Sequence, residues 1–181
     1  MRTSAHFLLA LLSAALIVAC VRAFAFTLYT VDGKDLEPEL MEGDRVMVNR
    51  WSYGLRTGGG NGLFSYGRLL ASPVERGDIV AFDSPCDSLK GVFVCRCKHL
   101  PGDTVRTDSD VCLVPGRQAT CADEDYYWME SLGEVGSLDS RVFGPVPESL
   151  IIGRVCLVVY SHDDRRPFYE GFRGGRTLLL K

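Results

Sequence analysis

Past its first 26 residues, this sequence of 181 residues has no strong helical pattern. Apolar residues do not recur there at three- and four-residue intervals, which argues against a helical bundle for the main body. Low-complexity tracts and internal repeats are also missing, so neither a disordered spacer nor a solenoid is expected. There is no surplus of positive charge: 20 Lys and Arg stand against 23 Asp and Glu. A nucleic-acid partner is therefore not expected. Nor is there a Cys-x-x-Cys pair or a ladder of histidines, with 3 His in all. That leaves no ligand set for zinc, and no metal or cofactor is expected.

What is present begins with an apolar run. Phe7 to Val21 reads FLLALLSAALIVACV without a charge, and after Arg22 it resumes as AFAF. As a helix, residues 7–26 would span about 30 Å, the thickness of a bilayer core. Arg22 lies near one end, where its stem can snorkel to the interface. Residues 1–26 are read as a retained membrane anchor and 27–181 as an exported domain. The flanking charges favour the N-terminus inside. Two other readings stay open. Arg2 followed by an apolar core also fits a cleaved secretory signal. Ile17-Val18-Ala19-Cys20 resembles the box before a lipidated cysteine, which makes Cys20 a lipidation candidate. All three readings export the rest of the chain.

Six cysteines follow the anchor, at 86, 95, 97, 112, 121 and 156. Disulfides suit an exported domain, but sequence alone leaves every pairing open. Cys86 with Cys95 and Cys112 with Cys121 are the candidates, because the two spacings are equal and Pro115-Gly116 inside the second is a turn signal.

The exported part reads as β. Thr27–Val31, Asp44–Asn49, Asp78–Phe82, Gly91–Cys97 and Ile151–Ser161 are runs of strand formers between turn residues. Residues 54–67 are glycine-rich and aperiodic and predict a long loop. The acidic stretch Asp123-Glu124-Asp125 predicts a solvated loop. Residues from about 101 to 130 predict a β-hairpin insertion.

Four stretches then fit together in order: GKDLEPELMEGDRVMVNR, RGDIVAFDSP, VCRCKHLPGDTV and GSLDSRVFGPVPESLIIGRV. In that order and spacing they resemble signal peptidase I, a membrane-anchored serine protease family that removes leader peptides. The resemblance runs from about Arg22 to Tyr160. Arg22-Ala23-Phe24-Ala25-Phe26 is similar to a segment that follows the family's anchor. The resemblance implies a mainly β fold: an N-terminal transmembrane helix, then antiparallel sheets with a small hairpin insertion. It implies a bacterial cytoplasmic membrane location, single-pass, with the main domain on the extracytoplasmic side.

It also implies a Ser–Lys dyad, and here the sequence departs. Where the family has Ser-Met-x-Pro-Thr-Leu, this chain has Asp35-Leu36-Glu37-Pro38-Glu39-Leu40. Where the family's lysine begins Lys-Arg-x-x-Gly-Leu-Pro-Gly-Asp, this chain has Cys95, then Arg96-Cys97-Lys98-His99-Leu100-Pro101-Gly102-Asp103. The family's Gly-Asp-Asn-Arg is replaced by Ser131-Leu132-Gly133-Glu134, while Ser137, Asp139 and Arg141 survive as support residues. Gly33 stands where many members have a serine that helps hold the oxyanion. No intact catalytic residue is therefore expected at Asp35 and Cys95, and proteolysis is expected to be lost. Lys98 lies three residues along a strand from Cys95 and points to the other face; His99 is too distant. Family members bind substrate as an added strand, which makes the main chain near Leu36, Val92 and Val94 the expected groove. The expected partners are an exported polypeptide or leader peptide, and an active signal peptidase paralogue. The alternatives are an active leader peptidase with a displaced dyad and a lipoprotein built on the same scaffold.

Overall fold

The computed structural model describes residues 2–31, 36–57, 66–86, 91–107, 111–131, 138–162, 169–173 and 175, the side chains at 2–5, 8 and 20–24 excepted. Gly33, Asp35 and Ser137 lie outside the described residues. The first element, α1 (Arg2–Ala25), is a helix of 24 residues. Its length is about 36 Å at ~1.5 Å per residue. Cys20 lies on it. Among the described residues, no helix is long and apolar enough to cross a membrane. The helix passes without a loop into β1 (Phe26–Thr30), which pairs antiparallel with β2 (Asp44–Asn49).

The domain is mainly β. A seven-stranded antiparallel sheet runs in the order β1, β2, β11 (Ile151–Ser161), β5 (Ile79–Asp83), β6 (Val92–His99), β9 (Tyr126–Glu130) and β10 (Val146–Pro147). The long β11 pairs with β2 along most of its length and with β5 over its first residues. Register shifts in both pairings bend it, as bulges do, and the sheet curls.

The curl explains why the Ile79–Phe82 run is apolar throughout rather than alternating. Successive strand residues face opposite sides. Ile79 and Ala81 enter one core with Leu40, Val46, Val48 and Val158. Val80 and Phe82 enter a second with Met129, Val146 and Ile151. The neighbouring β6 divides likewise: Val92 and Val94 pack on the first core, Phe93, Cys95 and Cys97 on the second.

The three Gly-Asp pairs of the sequence make one kind of turn. Gly43, Gly77 and Gly102 sit at φ 88°, 95° and 90°, a region open to glycine at little cost. The aspartate that follows each one accepts the N–H three residues back. Met41 donates to Asp44 at 2.9 Å, Glu75 to Asp78 at 3.2 Å and Leu100 to Asp103 at 2.8 Å. Each turn thereby satisfies its own N–H donor and aims the next strand.

Three sequence expectations change. The glycine-rich stretch is ordered at both ends, where β3 (Leu55–Thr57) pairs with β4 (Gly67–Leu69). The buried Arg68 ties that hairpin to the sheet, donating to the carbonyls of Ile151 at 2.6 Å and Glu148 at 2.9 Å. The acidic stretch is a loop with Asp123 exposed, as expected, but two of its carboxylates are tied to neighbouring segments. Asp125 accepts the Arg117 N–H at 2.8 Å, and Glu124 accepts the Ser149 N–H at 3.0 Å.

The proposed disulfides are not formed either, since Cys86, Cys112 and Cys121 carry free thiols. Asp83 pairs with Val92, so Cys86 lies beyond the strand end while Cys95 lies three residues inside it. That is about 10 Å of strand, past the ~7 Å Cα limit of a disulfide. Cys112 sits in β8 (Val111–Leu113), opposite β7 (Thr104–Arg106). Cys121 tops a separate turn closed by the Thr120 N–H on the Gly116 carbonyl at 2.9 Å.

Candidate functional site

A cavity of about 340 Å³ opens on the side of the first core. Tyr29, Val31 and Val46 form one wall and Val92, Phe93, Val94 and Cys95 the other, with Leu36 between them. The structure thus brings Leu36, Val92, Val94 and Cys95 together, although more than fifty residues of chain separate the first from the rest. Topology does this. The β6 strand pairs with β5 from Val92 onward, but with β9 only from Arg96 to His99. Over 92–94 one edge of β6 therefore has no partner strand among the described residues. That edge borders the cavity.

The turn carrying Leu36 is held from two sides. Leu40 is fully buried, and its N–H donates to the Leu36 carbonyl at 3.0 Å. Glu39 accepts a charge-assisted bond from the Arg96 guanidinium on β6. Sequence reasoning missed this pair. Its signal was a carboxylate where the family has threonine, opposite an arginine that the family motif keeps.

Ser131 and Leu138 close the far end. The Ser131 N–H donates to Asp139 at 3.2 Å. Asp139 is fully buried, caps α2 (Ser140–Phe143) and receives Nε and Nη2 of Arg141 at 2.8 and 2.5 Å. Ser140 accepts the Met129 N–H at 2.9 Å, which pins the same limb to β9. Asp139 and Arg141, named from the resemblance as support residues, are an ion pair in the structure.

Burial disfavours the charge on Asp139. The donors from Arg141 and Ser131 outweigh burial and hold its carboxyl below the ordinary range. A lowered folded pKa stabilises above the unfolded value and loses that contribution as pH falls through the folded value. The melting temperature of the wild type should therefore drop as pH falls below about 4. Asp139→Asn should flatten that drop while lowering stability at neutral pH, as thermal melts across the pH range would show. An unchanged slope would contradict this role.

The chemical content of the cavity is sparse. Its described lining includes neither lysine nor histidine. Cys95 is only 2% exposed. Lys98 points to solvent and pairs with Glu130 at 2.6 Å, while His99 Nδ1 is 3.9 Å from Asp103. Burial, with Asp78 nearby, pushes the Cys97 thiol up to about 12, so it stays protonated. Among the described residues, no group of His, Cys, Asp and Glu is arranged to hold a metal ion. In the Ser161-His162-Asp163 stretch, Ser161 ends β11 and His162 bridges to Phe172, away from the cavity.

Comparison with known proteins agrees with this architecture. The family model described as signal peptidase, peptidase S26, matches residues 4–131. Mitochondrial inner membrane protease subunit 1 of Xenopus tropicalis is 34% identical over 102 residues, 56% of this chain and 59% of that protein. Signal peptidase I of Bacillus caldolyticus is 31% identical over 110 residues, 61% of this chain and 48% of that protein. Mitochondrial inner membrane protease subunit 2 of Saccharomyces cerevisiae is 28% identical over 130 residues, 72% of this chain and 66% of that protein. The chain thus spans about half to two thirds of these relatives. They are bacterial and mitochondrial, so kinship alone does not fix the bacterial origin expected from the sequence. By the family match and the strand order that carries its motifs, this chain belongs to the signal peptidase family, peptidase S26.

Proposed function

We propose that this chain binds an extended exported polypeptide at the membrane and does not cut it. One observation carries the reading: the positions equated with the family's serine and lysine are Asp35 and Cys95. In the family a lysine with depressed pKa takes the serine proton and later protonates the leaving amine. A carboxylate is already anionic, but its tetrahedral adduct expels carboxylate far more readily than amine. Its charge also repels the developing oxyanion. A buried thiol at 95 supplies no base.

The binding half rests on the apolar lining of the cavity and on the edge of β6 that has no partner strand over 92–94 among the described residues. A peptide laid beside Val92–Val94 can add to the ladder with main-chain hydrogen bonds and place a side chain between Leu36 and Val94. Holding, chaperoning or positioning an exported chain, or modulating an active paralogue, would each use that contact.

The anchored half rests on α1. Phe7, Leu9, Leu11, Leu12, Leu16, Ile17 and Val18 are all exposed, and at 3.6 residues per turn they cover every face of the helix. A helix apolar all round suits lipid. On this reading the domain is held extracytoplasmically by one span.

The test uses the full chain in detergent with a fluorescent leader peptide. Binding is expected, with the peptide recovered whole. Val94→Glu should weaken binding about tenfold or more, since it places an unpaired charge against apolar walls. Equal binding by the variant would move the groove elsewhere, and peptide fragments would contradict the non-cutting reading.

A further inference from the structure

The inner face of the sheet continues past the peptide cavity. Along β1, Thr27 and Tyr29 are half-buried while Phe26, Leu28 and Thr30 are exposed. Alternate residues of the strand therefore line the inner face, and Val31 extends the row into the apolar cavity. The matching row on β5 is Ile79, Ala81 and Asp83, the last standing opposite Val92. Tyr29 lines the apolar cavity and also a second one, of about 420 Å³, together with Thr27, Arg50, Arg56 and Asp83. The two cavities thus meet at Tyr29 along one face, apolar at the Val31 end and charged at the Thr27 end.

The charges of the second cavity do not cancel. Asp83 engages Nη1 of Arg56 at 2.9 Å. Arg50, in the same lining, makes no side-chain hydrogen bond or ion pair with a described residue. Its N–H donates to the Ala25 carbonyl at 2.9 Å, which holds residue 50 at the start of β1. Burial, and then Asp83, raise the Tyr29 phenol above its ordinary range against the pull of Arg50 and Arg56, so it stays protonated and can donate. Two guanidinium groups and one hydroxyl thus share a single carboxylate, and the set has donors left for a second anion. A carboxylate on a peptide already held in the groove reaches them without a second loss of free motion, so one partly solvated cation is enough to select it.

We propose that the second cavity is a subsite for an acidic side chain of the bound polypeptide, an Asp or Glu four residues from the apolar side chain held between Leu36 and Val94. The spacing comes from β1, where Thr27 and Val31 are four residues apart, about 13 Å at ~3.3 Å per residue. An extended peptide has the same rise and the same alternation, so its inward side chains fall in step with that row. The proposal deepens the peptide-binding reading and rests on it. Arg50 is the residue that selects.

The full chain in detergent would be titrated with terminally blocked fluorescent peptides, each carrying one valine for the apolar cavity in an otherwise neutral, polar sequence. One peptide has Gln four residues from the valine on both sides. The others replace the N-terminal or the C-terminal Gln by Glu, because the peptide can run in only one direction along the groove. One of the two Glu peptides should bind about tenfold tighter than the Gln peptide, an advantage that salt erodes. Arg50→Gln should bring that Glu peptide down to the level of the Gln peptide. Arg50→Glu should transfer the preference to a peptide with Lys at the same position, which a merely damaged fold does not do. Equal binding of the Glu and Gln peptides by the wild type would overturn the subsite and leave the groove standing, as would a Glu advantage that survives Arg50→Gln. No binding of any peptide would overturn the peptide-binding reading, and the subsite with it.

Discussion

Asp35→Ser combined with Cys95→Lys is expected to give the chain a leader-cleaving activity that neither single substitution gives. The cavity has apolar walls and, among the described residues, a β6 edge without a partner strand over 92–94, which can align a peptide. Support behind it is in place, with Asp139 and Arg141 paired and the Ser131 N–H bound to the same carboxylate. Cys95 belongs to the cavity wall, but its side chain is 2% exposed and packs with the second core, so a lysine there must reach the cavity with its longer stem. Burial there lowers the pKa of an amine, which is what a general base working near neutrality requires.

Such a base contributes about 10²–10⁴-fold in rate. The double variant should rise above background by that order, and Gly33 keeps it below a full enzyme. Each single variant should stay at background, because a nucleophile and its base act as a unit. The readout is the rate of appearance of mature product. A folded double variant with no activity would mean that the site has diverged beyond the two positions.

Gly153→Ala is expected to be among the most damaging single substitutions in the domain. Gly153 lies in β11 at a register shift against β5. A Cβ there would lie 2.2 Å from the Asn49 carbonyl oxygen, 2.8 Å from its carbon and 3.0 Å from Arg50 Cα. All three obstacles are backbone, so no side chain can rotate away. The β2–β11 pairing must open or the chain must shift, at a cost of about 3 kcal/mol, the upper range for overpacking. Urea unfolding followed by circular dichroism should show an unfolding free energy lowered by that amount. A change under ~0.5 kcal/mol, typical of surface substitutions, would contradict the close approach.

Gly153 also shows where sequence reading stops. The β11 segment was legible from its run of strand formers, but nothing in IIGRVCLVVYS says that its glycine touches a neighbouring strand. The Ile79–Phe82 run was legible as a strand, whereas its two faces entering two cores follow from the curl of the sheet. The Gly-Asp pairs were readable as turns because glycine supplies positive φ and aspartate a local acceptor. Asp139 and Arg141 were legible as support residues only through the family motif, and their pairing is a finding of the structure. Contacts made only by tertiary folding were not: Glu39 with Arg96, Arg68 with the carbonyls of Glu148 and Ile151, and Arg50 beside Arg56. The disulfide expectation failed because equal spacing along the chain carries no information about which way a strand aims its cysteines.

The most direct test is prolonged incubation of the full wild-type chain with a leader-bearing preprotein, followed by intact-mass spectrometry. An active homologue would serve as the positive control. The expected spectrum contains the uncut preprotein alone. A mature product with a cut at the end of the leader, lost on Asp35→Ala or Cys95→Ala, would contradict the account.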